Sequence, residues 1–552
     1  MAAEADTITD QWQSLASSSP DREAIVFLRA DGTEHRWTWG HLYARARHYA
    51  AASEASQIKR GDVCALMFRH HPELYPLYMG LMLRGAIPAI LSHPNPRLHQ
   101  DKFRDGLSGM ARKSGLVHLL TEREFAQTVT PVVESHETTL SSLHFPLEWP
   151  SCEPSPITPA DSEAPCLLQH SSGTTGLQKA VMLSHATVAD HVERYAAALQ
   201  LTERDRVVSW LPLYHDMGLI AAFHLPLALG IPSVQLDPFE WVLAPELLLQ
   251  AMHRERGTVV FQPNFAFSHL ALRAHDDELE GVRLDHVRVF VNCSEPVRAQ
   301  THARFEARFA KYGVRPEMLS ACYAMAETTF AATQTRPGTR ATELSVDREA
   351  LAQGRVIPSD DETATTLVSS GMPIADCTVR VIDDEGNPLD EGHIGELVVR
   401  SRSLALGYRN DSERTAQRFK EGAYYTGDSG FIWNNECYVL GRKSDLLIVA
   451  GKNLFPEDIE AVVSEVAGVL PGRVVAFGID DEALGTQQVA IIAETEVAKE
   501  AHIALELAIK QAALAIDVAI RQVFLAPPRW LIKSSAGKPS RSANRQRIGE
   551  LK

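Results

Sequence analysis

Between residue 166 and about residue 335, five strand-like runs alternate with stretches of helical periodicity: PCLLQH, DRVVSWL, IPSVQL, GTVVFQ and VRVFVNC. This alternation constrains the chain more than any other feature, because it predicts βαβ units around a largely parallel sheet. The same pattern with shorter strands runs from about residue 10 to 145. There HLYARARHYAAASEA carries apolar residues at helical spacing, and GDVCALMF reads as a buried strand. At 552 residues the chain exceeds what one hydrophobic core supports, so two or more domains are expected.

Boundaries are written in proline, glycine and charge. PSCEPSPITPADSEAP holds five prolines in sixteen residues, which neither a helix nor a central strand tolerates, so 150–165 is a connector. Residues 336–366 are polar and irregular and end in the acidic SDDETATT. CTVRVIDDEG and IGELVVRS then restore short strands, with a turn at Glu385-Gly386-Asn387, consistent with a small antiparallel or barrel-like unit. A second boundary falls at Gly441. Beyond it, SDLLIVAG reads as a strand and PEDIEAVVSEVAGV as a helix with Pro456 in its first turn. VVAFGI and QQVAIIAE read as strands, and KEAHIALELAIKQAALAI as a long helix. The expected fold is therefore mixed α/β and α+β. A large N-terminal domain, 1–440, joins βαβ subdomains to a barrel-like unit; a hinge, 441–446, leads to a small mobile α+β domain, 447–552.

Composition narrows the class. A net charge of −16 argues against general nucleic-acid binding or adhesion to an anionic membrane. Seven scattered cysteines without a CxxC pair fit reduced thiols, not a disulfide framework or a zinc site. The start, MAAEADTITDQWQ, has no basic and apolar leader pattern, and no uncharged apolar run approaches 18 residues, so a cytoplasmic protein is expected.

The chemistry centres on SSGTTGLQK, residues 171–179. Gly173 and Gly176 allow backbone N–H groups to turn toward an anion, while Ser171, Ser172, Thr174 and Thr175 add hydroxyls. Lys179 adds charge, and the following AVMLSHATVADHV could present a helix N-terminus. A polyphosphate is the natural guest, although the spacing is not that of a Walker A loop; a plain βα turn is the alternative. Further motifs follow in order: LPLYHDMGLI (211–220), NCSEPV (292–297), ACYAMAETT (321–329), YYTGDSGF (424–431), GRKSDLLIVAGKNLFPEDIE (441–460) and IKSSAGKPSR (532–541).

These motifs, over nearly the whole chain, resemble those of the adenylate-forming superfamily of acyl-CoA synthetases, acyl-AMP ligases, luciferases and nonribosomal adenylation domains. The resemblance implies that 171–179 holds the β- and γ-phosphates of ATP. It implies that Glu327 binds Mg²⁺, with Thr175 as a second contact, and that Tyr323 offers its ring to adenine beside Ser294, Glu295 and Pro296. Asp428 would accept the ribose hydroxyls, Arg442 would contact ribose or phosphate, and Lys538 would bridge the carboxylate and α-phosphate in catalysis. His215 would lie near the acyl carboxylate, Ser444 would be the hinge pivot, and Met217, Asn264 and Phe265 would line the acyl pocket. Gln178, Ala180, Ala324 and Ser444 depart from the common residues at their positions.

Within the superfamily the chain is most like the fatty acyl-AMP ligases. LPLYHDMGLI and LPGRVVAFGIDDEALG resemble that branch, and the stretch 336–366 resembles an insertion that hinders CoA-linked movement of the small domain. The implied acceptor is the phosphopantetheine thiol of an acyl carrier protein, with free CoA the alternative; a non-catalytic nucleotide-binding protein is a reading from another class. FQPNFAFSHLAL and LPLALGIPSVQL are apolar without an acid placed for an α-amine, which favours a fatty or other apolar acid.

Overall fold

The computed structural model describes residues 7–94, 100–154, 157, 159–171, 178–449, 452–481, 486–516, 518–533 and 539–551. Its central sheet has nine strands, in the order Met372–Pro373, Ala331–Gln334, Leu319–Ala324, Val289–Cys293, Val259–Pro263, Val207–Ser209, Ser233–Leu236, Glu23–Leu28 and Glu34–Thr38. The strands from Leu319–Ala324 to Glu23–Leu28 pair in parallel, and both margins turn antiparallel. Val259–Pro263 and Val289–Cys293 are buried at every residue, as a parallel strand covered on both faces must be. A second, four-stranded parallel sheet runs Ile87–Ile90, Val63–Met67, His118–Thr121, Ser142–His144. The helix Trp39–Ala55 packs closely on Leu74–Arg84, an almost wholly buried helix.

The alternation between 166 and 335 does not all enter one sheet. Pro165–Ser171 instead pairs antiparallel with Lys179–Ser184, and Gly407–Tyr408 completes a separate three-stranded sheet. The reason lies in the spacing: the strands lie so close in sequence that only a hairpin can join them. The helix expected directly behind the glycine loop consequently starts later, at His185, with Ser184 as N-cap and Thr187 completing a reciprocal cap.

The barrel-like unit is a five-stranded antiparallel sheet of Cys377–Ile382, Gly395–Ser401, Phe419–Lys420, Ala423–Trp433 and Glu436–Arg442. The small domain stacks the helices Pro456–Ser464 and His502–Leu514 on the strands Val474–Asp481, Thr486–Glu494 and Ile520–Ala526, around its own apolar core. Within 336–366, Glu343–Val346 begins a two-stranded sheet whose partner is Thr365–Val368, with the helix Arg348–Ala352 between them. Val346, Leu351 and Val356 join one apolar cluster with Phe431, Tyr438, Leu440 and the small domain's Phe455. No described helix is long and apolar enough to cross a membrane.

Gly371 sets the turn into the edge strand Met372–Pro373 with φ of 86°, and a Cβ there would lie 2.1 Å from the Gln334 carbonyl carbon. We expect Gly371→Ala to combine backbone strain with a clash against fixed backbone and to cost roughly 3 kcal/mol of stability. Equilibrium denaturation is the check, and an unchanged midpoint contradicts this account of the turn.

Candidate active site

The residues that sequence reading assigned to phosphate, metal and ribose come from three separate elements. Lys179 opens the second strand of the loop hairpin, Glu327 follows the central strand Leu319–Ala324, and Asp428 lies within Ala423–Trp433. The Lys179 Nζ stands 3.7 Å from Glu327 Oε1 and 5.3 Å from the centre of the Tyr408 ring. The Tyr408 hydroxyl donates to Glu327 Oε1 at 2.8 Å and lies 3.2 Å from the Tyr424 hydroxyl. Glu327 is almost fully buried. Burial pushes its carboxyl up, but the Lys179 charge and the Tyr408 hydrogen bond outweigh this and hold it below the ordinary carboxylate value. Burial pulls the Lys179 ammonium down, and Arg442, Arg414 and Arg418 add to the effect against the pull of Glu327. One buried carboxylate thus faces a concentration of positive charge, which suits a polyanion.

The second centre is Asp428. Its Oδ1 lies 2.9 Å from Arg442 Nε, and its Oδ2 accepts from the Tyr323 hydroxyl. Strand pairing makes the first contact inevitable, since Asp428 and Arg442 are direct cross-strand partners. Arg442 also donates to the Thr426 carbonyl at 3.0 Å, and the carboxylate of Asp428 strengthens its hold on its proton. Tyr323 therefore does more than offer a ring face: its hydroxyl is spent on Asp428. Tyr408, Tyr424 and Thr426 belong to the same network; Tyr424 and Thr426 lie within the motif YYTGDSGF, whereas Tyr408 lies in none.

Ser294 and Glu295 follow the strand Val289–Cys293. Ser294 adopts a φ of 69°, and Glu295 Oε2 accepts the Phe265 N–H at 2.9 Å. Asn264 is committed to structure: its Oδ1 accepts Asn292 Nδ2 at 3.0 Å and the Arg298 N–H at 3.3 Å, and its Nδ2 donates to Thr301 at 3.3 Å. Phe265 is half-exposed and meets the edges of Trp210 and Trp241, whose rings stack at 3.5 Å. Met217 is buried and opens the π-helix Met217–His224, with Asp216 accepting from its N–H at 2.8 Å. π-Helical segments concentrate at functional sites. His215 precedes it, partly exposed, with its ring 4.9 Å from that of Tyr214. Gly218 has no substitute here, because a Cβ would lie 2.3 Å from the Pro212 carbonyl oxygen. Gln169 donates to the Tyr214 carbonyl at 2.9 Å, which ties this turn to the loop hairpin.

The segment 441–446, expected from the sequence to be a hinge, has an anchor on each side. Lys443 reaches Asp384 at 2.6 Å and Glu396 at 3.6 Å on the large domain. Asp445 pairs at 2.6 Å with Arg541, which also holds Glu457 and Glu460, both at 2.9 Å, on the small domain. Ser444 lies between these anchors, exposed, with its hydroxyl bonded to Asp445 at 3.2 Å. Ala180, a departure from the common loop, is a buried strand residue paired with His170, in a place where no glycine is required. Ser172, Gly173, Thr174, Thr175, Gly176 and Lys538 lie outside the described residues, as does the side chain of Ser171; Pro296 is partly buried next to Glu295.

Among the described residues no cluster of three or more His, Cys, Asp or Glu could enclose a metal ion by itself. A lone buried carboxylate beside a polyphosphate nevertheless fits Mg²⁺, which takes one or two carboxylates and completes its shell with phosphate oxygens and water. Glu327 is the residue that would hold it.

The match to known proteins agrees with this geometry. Residues 12–409 match the family model described as AMP-binding enzyme. The chain belongs to the AMP-binding enzyme family. It is 30% identical over 568 residues to the long-chain-fatty-acid–AMP ligase FadD26 of Mycobacterium marinum, covering 96% of this chain and 94% of that one. A fatty acyl-adenylate ligase of L. pneumophila, solved with acyl adenylate and pyrophosphate, is 28% identical and aligns over 99% of this chain and 97% of its own with a TM-score of 0.76. A structure from work on the fatty acyl-adenylate ligases of E. coli and L. pneumophila aligns with a TM-score of 0.91 at 24% identity, over 99% and 98% of the two chains, and shares the fold.

The Tyr408 bond to Glu327 yields a test that needs no substrate. Because the folded carboxyl titrates below its unfolded value of 4.5, its stabilisation is present above that pH and is lost as pH falls through the lower folded value. We expect Tyr408→Phe to cost about 1–2 kcal/mol at pH 7, with the difference from wild type shrinking as the solution is acidified toward Glu327 protonation. Denaturant unfolding across pH is the check, and a difference that does not change with pH contradicts it.

Proposed function

We propose that this enzyme activates a fatty carboxylic acid with MgATP to an acyl adenylate and then transfers the acyl group to a thiol. The observation that carries the reading is the pairing of two charge centres, Lys179–Glu327 and Asp428–Arg442, which Tyr408 and Tyr323 orient by hydrogen bonds to the two carboxylates. One centre suits phosphates and the other a ribose diol.

In the first step a carboxylate oxygen attacks the α-phosphorus, an acyl–oxygen–phosphorus link forms, and the bond to the β-phosphate breaks to release pyrophosphate. The 171–179 loop and Lys179 hold the leaving group. Asp428, steadied by Arg442 and Tyr323, fixes the ribose, and Tyr323 and the Ser294–Pro296 segment flank adenine. Mg²⁺, when bound, would neutralise charge on the phosphates, and Glu327 with Thr175 of the loop are the residues that would hold it. Lys538 brings the two anions together; positioning and electrostatic stabilisation supply the rate, because the nucleophile is already ionised. In the second step a thiolate attacks the acyl carbonyl and AMP departs. His215 borders the carboxylate, and Met217 and Phe265 belong to the apolar wall.

The acceptor we propose is the phosphopantetheine thiol of a carrier protein, with free CoA the competing reading. The favouring observation is the apolar cluster shared by 336–366 and Phe455, together with the Arg348 bond to the Ala515 carbonyl at 3.4 Å. Both resist rotation of the small domain about Ser444. The seven cysteines, all free thiols, accord with a cytoplasmic site.

Exchange of labelled pyrophosphate into ATP, driven by fatty acids of graded length, tests the first step. We expect exchange with at least one acid and its loss by about 100-fold or more in Lys538→Ala, with the fold retained. No exchange with any acid would support a binding protein instead, and rapid acyl-CoA formation would favour the CoA reading over the carrier protein.

A further inference from the structure

The helix Ala299–Phe309 on the large domain and the helix Pro456–Ser464 on the small domain are joined at two points. Arg298, the residue preceding the first helix, donates from Nη1 to Asp458 Oδ1 at 2.6 Å. Arg304, inside that helix, donates to Glu465 Oε2 at 3.1 Å. Asp458 lies in the first turn of the small-domain helix and Glu465 caps its C-terminus, so the two bonds grip opposite ends. The spacings agree: six residues between the arginines span about 9 Å of helix and seven between the acids about 10.5 Å. The N-terminal cation meets the N-terminal acid, and the C-terminal cation the acid at the C-terminus, so the two helices are bridged in the same sense by side chains.

Arg298 is also tied inward. Its N–H donates to Asn264 Oδ1, whose residue begins the pocket helix Asn264–Arg273. Glu295, three residues before it, accepts from Phe265 of that helix. The segment 294–298 therefore touches the acyl wall on one side and the small domain on the other. Burial pulls down the ammonium of the small domain's Lys533, five residues before Lys538 in sequence, with Glu494 and Glu295 opposing in part. Lys533 thus lies within electrostatic reach of the 294–298 segment.

We propose that Arg298 is a positioning residue for the first half-reaction: with Arg304 as its second foot, it seats the helix Pro456–Ser464 and so holds the small domain in the adenylating orientation. This rests on the assignment of Lys538 to adenylation. Both pairs are partly solvent-exposed, with side-chain exposures of 28% and 36% for Arg298 and Asp458 and 37% and 59% for Arg304 and Glu465. Exposed pairs are individually weak and screened by salt. A seat of this kind holds without locking, as a domain that must leave for the second half-reaction requires.

The test is a charge swap read on the two half-reactions separately. Arg298→Glu and Asp458→Arg should each slow acid-dependent pyrophosphate exchange by about fivefold. Transfer from preformed acyl-AMP to the thiol acceptor should stay within twofold of wild type, and thermal unfolding should be unchanged. The double variant, with the pair reversed, should recover most of the exchange rate, and raised ionic strength should slow wild type toward the single variants. Wild-type exchange in both single variants would overturn the proposal, as would equal slowing of both half-reactions or a double variant no better than either single one. Lys538→Ala runs in parallel: undiminished exchange there removes the underlying assignment, whereas loss there with normal exchange in the single charge variants removes only the seat.

Discussion

A half-buried cation and a buried carboxylate from distant parts of the chain, Lys179 and Glu327, are the contact on which the rest of the site depends. Neither can be left alone in a low-dielectric setting, since an unpaired buried charge costs several kcal/mol. Their pairing brings the loop hairpin to the end of the central sheet, and Tyr408 from a third strand closes the group. The same logic repeats at Asp428, where a cross-strand arginine and a tyrosine from the central sheet satisfy one carboxylate. Each centre is neutral overall but polarised, and each lies at the join between two sheets. That is a physical reason for the site to be built there: charges that hold subdomains together are already oriented for a charged guest.

The same principle, applied at the domain boundary, gives a different result. The Lys443 anchor and the Arg298 and Arg304 pairs are partly exposed, so water screens them and they yield, whereas Asp445 and Arg541 are largely shielded and tie the far side of 441–446 to the small domain. Apolar contacts between 336–366 and Phe455 are not screened by salt, and on the proposed hinge they would oppose rotation. We propose that shielded charge fixes the catalytic centre, while partly exposed ion pairs and a modest apolar cluster govern movement about Ser444. The two half-reactions call for that division.

Much of this was legible in the sequence. The alternation of apolar runs gave the parallel sheet, and the motif order gave the family and pointed to Lys179, Glu327, Tyr323, Asp428 and Arg442, which the fold brings together. The misses have physical causes. The strand at Lys179–Ser184 was read as leading into a helix because AVMLSHATVADHV has apolar residues compatible with either period, and only the pairing of Ala180 with His170 decides it. Tyr408 could not be found, because its role depends on a strand that crosses the loop hairpin from more than 220 residues away. Asn264 reads as a pocket residue by position, yet its amide is consumed by Asn292, Arg298 and Thr301, a network with no sequence period. The Arg298–Asp458 contact is likewise a product of domain docking, which local patterning does not encode.

The central claim is that the acid's own oxygen becomes bonded to the α-phosphorus. A fatty acid carrying heavy oxygen in its carboxyl group, incubated with MgATP and a thiol acceptor, tests this through the mass of the nucleotide product. The account predicts one heavy oxygen in the phosphate of the released AMP and none in pyrophosphate. Heavy oxygen recovered in inorganic phosphate, with ADP as the nucleotide product, would contradict it.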